Sequence, residues 1–156
     1  MKSLFFAFFL FLCLPSHAQS FNNYLFLEKK EIVDQFNDLS KKNKKYNISV
    51  NDSSGVLTIM ITGFKTISCS FKFNEDNLCE ESQFKYSCGD CSQKHFNEFL
   101  NDKYYKWRLS KNGEYISKYK RFQVMRLEST KTDNCTTIVF YTTNWTKEYY
   151  NSQIKQ

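Results

Sequence analysis

The clearest pattern in this chain is an alternation of apolar and polar side chains over residues 66–73. Ile67, Cys69, Phe71 and Phe73 are the apolar members, and threonine, serine and lysine stand between them. A period of two residues predicts a β-strand with one face in the core and the other in solvent. The sheet that contains this strand must therefore pack one of its faces against another layer.

Further strands are predicted on both sides of this one. Residues 46–50 and 56–62 are joined by Asn51-Asp52-Ser53-Ser54-Gly55, a turn-rich segment of hairpin length. The segment 78–87 follows the turn Asn74-Glu75-Asp76-Asn77, so the first half is expected to be an antiparallel meander. Four more strands are predicted later in the chain, at 104–110, 114–120, 122–128 and 135–143.

Two amphipathic helices are predicted, one ahead of each group of strands. Apolar residues recur at helical spacing in 28–42 and share one helix face in 92–102. The predicted fold class is α+β, with both helices packed on antiparallel sheet. The apolar positions are Ile32, Val33, Phe36 and Leu39 in the first helix and Phe96, Phe99 and Leu100 in the second.

The order helix, four strands, helix, four strands suggests a tandem duplication of an α-β-β-β-β unit, with repeats at about 24–87 and 88–143. Phe36-Asn37-Asp38-Leu39 in the first helix is echoed by Phe96-Asn97-Glu98-Phe99 in the second. This architecture and the helix entry Leu27-Glu28-Lys29-Lys30-Glu31-Ile32-Val33 resemble exported proteins of the beta-lactamase-inhibitory-protein-like class. The resemblance implies protein–protein binding through a sheet face.

The first eighteen residues predict a secretory signal peptide. Lys2 provides a positive start, an apolar run extends from Leu4 to Leu14, and small residues stand at positions −3 and −1 before a cleavage site after Ala18. The apolar run is shorter than the roughly 20 residues that span a bilayer. We therefore expect residues 19–156 to be one α+β domain, periplasmic or extracellular, with no membrane span.

The chain carries 22 basic and 16 acidic side chains, a formal net charge of +6 that the loss of Lys2 lowers by one. The positive charge is clustered at 41–45 and 118–121, and the second cluster lies among tyrosines. Basic groups interleaved with aromatic rings suit nucleic acid in a cytosolic protein, whereas an exported protein meets little of it. Nucleic acid is therefore not expected as a partner, and solvated surface is the ordinary explanation of both clusters.

Loss of Cys13 with the signal peptide leaves an odd number of cysteines in an oxidising compartment. Cys69 is predicted to be the unbonded one, because it shares an apolar strand face and a buried thiol behaves as a small hydrophobe. The other four are the disulfide candidates. We interpret them as two pairs, Cys88 with Cys91 and Cys79 with Cys135.

The motif Cys88-Gly89-Asp90-Cys91 carries the candidate chemistry of this chain. Two cysteines separated by two residues at the start of a helix are the arrangement that thioredoxin-like oxidoreductases use, because helix charge stabilises a thiolate there. The chain departs from that pattern in two respects: its only proline is Pro15, in the signal peptide, so no cis-proline can flank the pair, and its strands are predicted to be antiparallel rather than parallel in βαβ units. A purely structural disulfide is the alternative interpretation.

A zinc site is a further alternative, with Cys79, Cys88, Cys91 and His95 as a Cys₃His ligand set. Cys91 and His95 are four residues apart and so share a helix face. Most other catalytic arrangements are excluded by counting: a Ser-His-Asp or Cys-His enzyme would have to use His95, the only histidine of the mature chain, and no Gly-x-Ser-x-Gly motif is present. No cofactor is expected.

Two functions from different classes remain. The first is an exported binding, inhibitory or protective protein without catalytic activity, which contacts another protein. The second is a thiol-disulfide oxidoreductase that uses Cys88 and Cys91. Exposed aromatic side chains are the usual anchors of a protein interface. The candidate anchors are Tyr104, Tyr105, Trp107, Tyr115 and Tyr119.

Overall fold

The computed structural model describes residues 24–63, 65–120, 124–132 and 135–154. The predicted signal peptide and its cleavage site lie outside these residues. The described helices and strands follow one another in the predicted order, with a third helix added at the end. They are α1 (Lys29–Lys42), β1 (Asn47–Ser53), β2 (Val56–Thr62), β3 (Ile67–Phe73), β4 (Cys79–Tyr86), α2 (Gly89–Asn101), β5 (Arg108–Leu109), β6 (Tyr115–Ile116), β7 (Val124–Thr132), β8 (Cys135–Thr143) and α3 (Lys147–Gln153).

The strands form an antiparallel sheet in the order β1-β2-β3-β4-β8-β7-β6-β5. Each half is a meander of consecutive strands, and β4 and β8 join the two halves at the centre. The predicted α+β class, with helices on antiparallel sheet, is confirmed. Among the described residues, no helix has the length and apolar content needed to cross a membrane.

Helix α1 begins at a capping box. The backbone N–H of Glu28 donates to Oε2 of Glu31 at 2.8 Å, and the Glu28 side chain accepts a backbone N–H of the first turn in return. This reciprocal pair satisfies amide groups that have no partner within the helix. The helix ends at Asn43, whose N–H donates to the carbonyl oxygen of Leu39 at 3.0 Å. Ile32 and Phe36 are its buried residues.

One face of the sheet is covered by α1 and α2 and forms the main core. Every second residue of a strand lies on that face, with the period of two that the sequence predicts. Residues of neighbouring strands line up there in rows, for example Leu57, Phe71 and Ser82. Cys69 lies in the next row, is completely buried and carries no disulfide, so the prediction of a buried unbonded thiol at this position is confirmed. The other large buried members are Ile59, Ile61, Phe84, Tyr86, Ile138 and Phe140.

Helix α3 packs against the opposite face of the sheet. Tyr115 packs on the main core, so its neighbour Ile116 in the same strand points the other way. Ile116 is completely buried in a second cluster with Tyr150 of α3. Thr146 is the N-cap residue of this helix, and its hydroxyl accepts the N–H of Tyr149 at 3.2 Å.

The second half of the chain differs from the first in its strand lengths. The predicted strands 104–110 and 114–120 are reduced to two residues each, whereas β1 and β2 have seven. The backbone of Lys106 has a φ of +51°, in the left-handed region and outside the β region, so regular strand geometry is interrupted there. The tandem duplication is therefore not confirmed, although the order of elements is the predicted one.

Candidate functional site

Cys88 and Cys91 form a disulfide at the N-terminus of α2, which matches the predicted pairing. Cys88 is the N-cap residue, and its Sγ accepts the backbone N–H of Cys91 at 3.2 Å. The chain leaves β4 one residue earlier at Ser87, whose hydroxyl donates to the carbonyl oxygen of Thr66 at 3.0 Å. The motif is therefore held between the end of a central strand and the first turn of a helix.

Lys65 brings a positive charge to both sulfur atoms. Its Nζ lies 2.9 Å from Sγ of Cys88 and 2.6 Å from Sγ of Cys91. A cation and a helix N-terminus both favour a thiolate over a thiol, so the two features act in the same direction. Both cysteines are half-buried, and Lys65 is exposed. The site therefore combines accessible sulfur with a fixed positive charge.

The sequence motif did not identify Lys65. This residue stands 23 positions before Cys88 and belongs to no recognisable pattern. The signal lies in the topology, because consecutive antiparallel strands place the β2–β3 connection and the exit of β4 at the same end of the sheet. A lysine in that connection must therefore lie near whatever follows β4.

Gly63 allows the β2–β3 connection to lie close to the chain that follows α1. A Cβ atom at Gly63 would be 2.7 Å from the carbonyl oxygen of Lys45 and 3.1 Å from Cδ1 of Tyr46. The first distance is too short for a real Cβ and involves backbone, so a larger residue would displace this connection. The position of Lys65, two residues later, consequently depends on the glycine.

The predicted disulfide between Cys79 and Cys135 is wrong. Each of these residues begins its strand, and β4 and β8 are antiparallel, so the two lie at opposite ends of the pair, roughly 25 Å apart. Cys79 is a buried, unbonded thiol, and its Sγ donates to the carbonyl oxygen of Glu81 at 3.3 Å. The register between two strands distant in sequence decides this pairing, and cysteine spacing does not reveal it.

The alternative zinc site is wrong for the same reason. Cys79 begins β4 and Cys88 follows its end, so the two are separated by the length of an eight-residue strand. The sulfurs of Cys88 and Cys91 are bonded to each other. Within the described residues, no group of three or more histidine, cysteine, aspartate or glutamate side chains is arranged to hold a metal ion.

His95 lies one turn after Cys91 and packs over the core of the sheet. Its ring stacks on Tyr86 with the centroids 5.4 Å apart, and its Nδ1 lies 3.2 Å from Oε2 of Glu98. Burial raises the pKa of the Tyr86 hydroxyl, and this oxygen has no hydrogen-bond partner within the described part of the chain. His95 therefore joins α2 to the sheet behind the disulfide.

Three of the five candidate aromatic anchors lie in the segment after α2. Tyr104 is 59% exposed. Tyr105 and Trp107 stack with ring centroids 5.0 Å apart, and Nε1 of Trp107 donates to the carbonyl oxygen of Phe99 at 2.8 Å. Trp107 also packs against the main core. Only Tyr104 in this group therefore presents most of its ring to solvent.

The other two candidates, Tyr115 and Tyr119, are half-buried and pack against the two core clusters. The ring of Tyr115 contacts Phe96 of α2 with centroids 5.9 Å apart, on the helix-covered face of the sheet. The ring of Tyr119 contacts Tyr150 of α3 at 5.5 Å, on the opposite face. The five aromatic residues are thus divided between two faces and do not form one surface.

The stability of the protein is expected to fall at alkaline pH, in part because of Cys79. Burial raises the pKa of the Cys79 thiol to about 12 from an ordinary value of 9.0. Above pH 9 the unfolded state loses this proton while the folded state keeps it, so stability decreases as the pH rises toward 12. We expect the Cys79→Ala variant to show a smaller drop in urea midpoint between about pH 8 and pH 10.5 than the wild type.

Ile59→Val is the matched control for that measurement. It removes one buried methylene without a titrating group and costs about 1 kcal/mol at either pH. Its urea midpoint should therefore follow the pH dependence of the wild type from a lower starting value. An equal pH dependence in Cys79→Ala and the wild type would contradict the role given to this thiol.

The disulfide at the start of α2 is compatible with an exported protein. The site consists of two half-buried sulfur atoms, one helix N-terminus and one ammonium group. No protein-family model matches the chain, and no curated protein or solved structure does so either.

Proposed function

We propose that Cys88 and Cys91 are a redox-active pair that exchanges electrons with the thiols of other proteins. The observation that carries this proposal is the position of Lys65, whose Nζ contacts both sulfur atoms. Fixing a lysine side chain costs up to about 2 kcal/mol of rotamer entropy. A neutral disulfide accepts only weak hydrogen bonds, which offset little of that entropy cost. The thiolates of the reduced pair would attract the ammonium strongly.

The short loop of the disulfide also favours a chemical role over a structural one. The stabilisation that a disulfide gives grows with the length of the loop that it closes. Cys88 and Cys91 are three positions apart, for which the chain-entropy relation gives only about 2 kcal/mol. Helix α2 is in addition held by the packing of Phe99 in the main core. The fold therefore depends little on this bond.

The reaction begins from the oxidised pair. A thiolate of the substrate attacks Sγ of Cys88, the Cys88–Cys91 bond breaks, and Cys91 leaves as a thiolate beside Nζ of Lys65. A second substrate thiolate then attacks the substrate sulfur of the mixed disulfide and releases Cys88 as a thiolate. The substrate gains a disulfide, and its two electrons pass to the pair. In the reverse direction, the reduced pair reduces a substrate disulfide.

The position of Lys65 favours attack at Cys88 rather than at Cys91. Exchange is faster when the leaving sulfur is the better stabilised thiolate. Lys65 lies closer to Cys91 than to Cys88, so Cys91 is the better leaving group. The Cys91 N–H and Lys65 then hold the charge on Cys88 when that sulfur leaves in the second step.

This proposal concerns the dithiol chemistry and not a thioredoxin-like fold. The sheet is antiparallel, and the only proline of the chain is Pro15. The binding and protective function predicted from the sequence stays a prediction. It is consistent with the present proposal, because a thiol-bearing protein would be the partner. We likewise keep export as a proposal, supported by the sequence of residues 1–18.

Redox titration of the wild-type protein tests the proposal. The protein is equilibrated anaerobically in glutathione buffers, the free thiols are alkylated, and the intact mass is measured. We expect Cys88 and Cys91 to become alkylated together at a potential between about −270 and −120 mV, the range of catalytic pairs. Circular dichroism should stay unchanged across the titration.

Cys69 and Cys79 are internal controls in the same titration. Both are buried, and burial raises the pKa of each thiol, so neither should be alkylated while the protein is folded. A pair that is reduced only below about −300 mV, or only when the protein unfolds, would identify a structural disulfide and overturn the proposal.

A further inference from the structure

The contact between Lys65 and Cys91 is shorter than an ordinary hydrogen bond to sulfur. Nζ of Lys65 and Sγ of Cys91 are 2.6 Å apart. Donor–acceptor distances in N–H···O bonds are about 2.7–3.2 Å, and sulfur is a larger atom than oxygen. A single bridging atom is therefore enough to connect the nitrogen and the sulfur, with little movement of either side chain.

We propose that Lys65 and Cys91 form a second oxidised state of this site, in which one oxygen atom links Nζ to Sγ. The inference rests on the proposed function in one respect, because the Cys88–Cys91 disulfide must be reduced before Cys91 is available. Lys65 has an exposed side chain and Cys91 is half-buried, so small oxidants can reach both atoms. A thiol of this kind, accessible and close to a positive charge, is the type that oxidises readily.

Dioxygen is the oxidant of this step. The neutral amine of Lys65 loses one hydrogen, the thiol of Cys91 loses its own, and one N–O bond and one O–S bond form. One oxygen atom of dioxygen is retained in the bridge, and the other leaves as water with the two hydrogens. Nitrogen and sulfur each give up two electrons, and dioxygen accepts four.

The bridge would switch the redox pair off. It consumes the thiol of Cys91, so that Cys88 has no partner with which to form the disulfide. It also removes the ammonium charge that lies 2.9 Å from the sulfur of Cys88. Two equivalents of a dithiol reductant would restore both groups, because four electrons are needed: cleavage of the O–S bond returns the thiol of Cys91, and cleavage of the N–O bond returns the amine of Lys65 and releases the oxygen as water. The site would therefore have an active dithiol and disulfide cycle and a reversible inactive state.

Intact-mass measurement of the Cys88→Ser variant tests the bridge directly. This variant cannot form the disulfide, and serine is a favourable N-cap, so α2 is retained. After reduction and exposure to air-saturated buffer, we expect a mass about 14 Da above that of the thiol form, from the gain of one oxygen and the loss of two hydrogens. Trypsin should no longer cut after Lys65, and dithiothreitol should reverse both effects.

The matched control is Cys88→Ser combined with Lys65→Met. It should gain no mass of about 14 Da, although oxidation of Cys91 alone can add about 16 or 32 Da. The proposal is overturned if Cys88→Ser stays at the thiol mass, or gains only about 16 or 32 Da while trypsin still cuts after Lys65. If the Cys88→Ser variant fails to fold, the intact mass and the tryptic cleavage are measured instead on the reduced wild-type protein with Cys88 alkylated.

The outcomes of this experiment and of the redox titration are independent. The titration is anaerobic and uses the wild-type pair, whereas the bridge requires dioxygen and is measured without Cys88. A protein that titrates but forms no bridge retains the proposed function and loses this inference. A protein that forms the bridge in Cys88→Ser but does not titrate loses the proposed function alone.

Discussion

Replacing Cys88 by serine is expected to lower the rate at which the protein catalyses insulin reduction by dithiothreitol on the order of 100-fold or more. The reason is that the reduced pair acts as a unit: Cys88 forms the mixed disulfide with insulin, and Cys91 resolves it. The measurement is the turbidity of the precipitating insulin B chain, with the wild type and the variant at equal concentration. Thermal unfolding of both proteins is recorded in parallel.

Two further variants make that result specific. Cys79→Ala removes a cysteine from the start of β4, a strand length away from the pair, and should keep the wild-type rate. Lys65→Met keeps both sulfurs but removes the charge, so the rate should fall at neutral pH and recover partly as the pH rises. A Cys88→Ser protein that loses thermal stability, together with a wild type that shows no activity, would identify the bond as a structural one.

The regular strands of the first half could be predicted from the sequence. The alternation in 66–73 and the apolar run in 56–62 give β3 and β2 almost to the residue. Both strands bury one face under helices, and a half-buried strand must show a period of two. Helix α1 was predictable because its buried residues recur at helical spacing.

The segment after α2 could not be predicted in the same way. Tyr105, Trp107 and Leu109 alternate with polar residues, yet only Arg108–Leu109 forms a strand there. The alternation has another origin, because Tyr105 stacks on Trp107 and the indole donates a hydrogen bond to the end of α2. Side chains two residues apart that stack on each other therefore give the same period of two as a strand, and the pattern alone does not distinguish the two cases.

Of the candidate site, only the disulfide could be predicted from the sequence. The spacing of Cys88 and Cys91 gives the disulfide, because the two residues are close in the chain whatever the fold. The positions of Lys65 and Cys79 relative to the pair depend on which strands are neighbours and on the register between them. Single-sequence patterns contain the period of each strand, but they do not contain the pairing between β4 and β8.

Replacing Phe84 by alanine is expected to lower the free energy of unfolding by about 3–5 kcal/mol. Phe84 is completely buried at the middle of β4, the strand that joins the two halves of the sheet. Its ring lies 6.0 Å from that of Tyr24, 6.2 Å from that of Phe71 and 6.1 Å from that of Phe140, measured between centroids. Truncation would therefore leave a cavity at the junction of both halves, which the rigid neighbouring rings cannot fill.

Urea unfolding at neutral pH measures this loss, with Lys85→Ala as the matched control. Lys85 is the next residue of the same strand, is exposed and points to the other face, so its removal should change stability by no more than about 0.5 kcal/mol. A total stability of about 5–15 kcal/mol is usual for a domain of this size, so Phe84→Ala can unfold much of the population. Equal losses in the two variants would mean that the face bearing Phe84 is not the core, and the placement of α1 and α2 over that face would then be wrong.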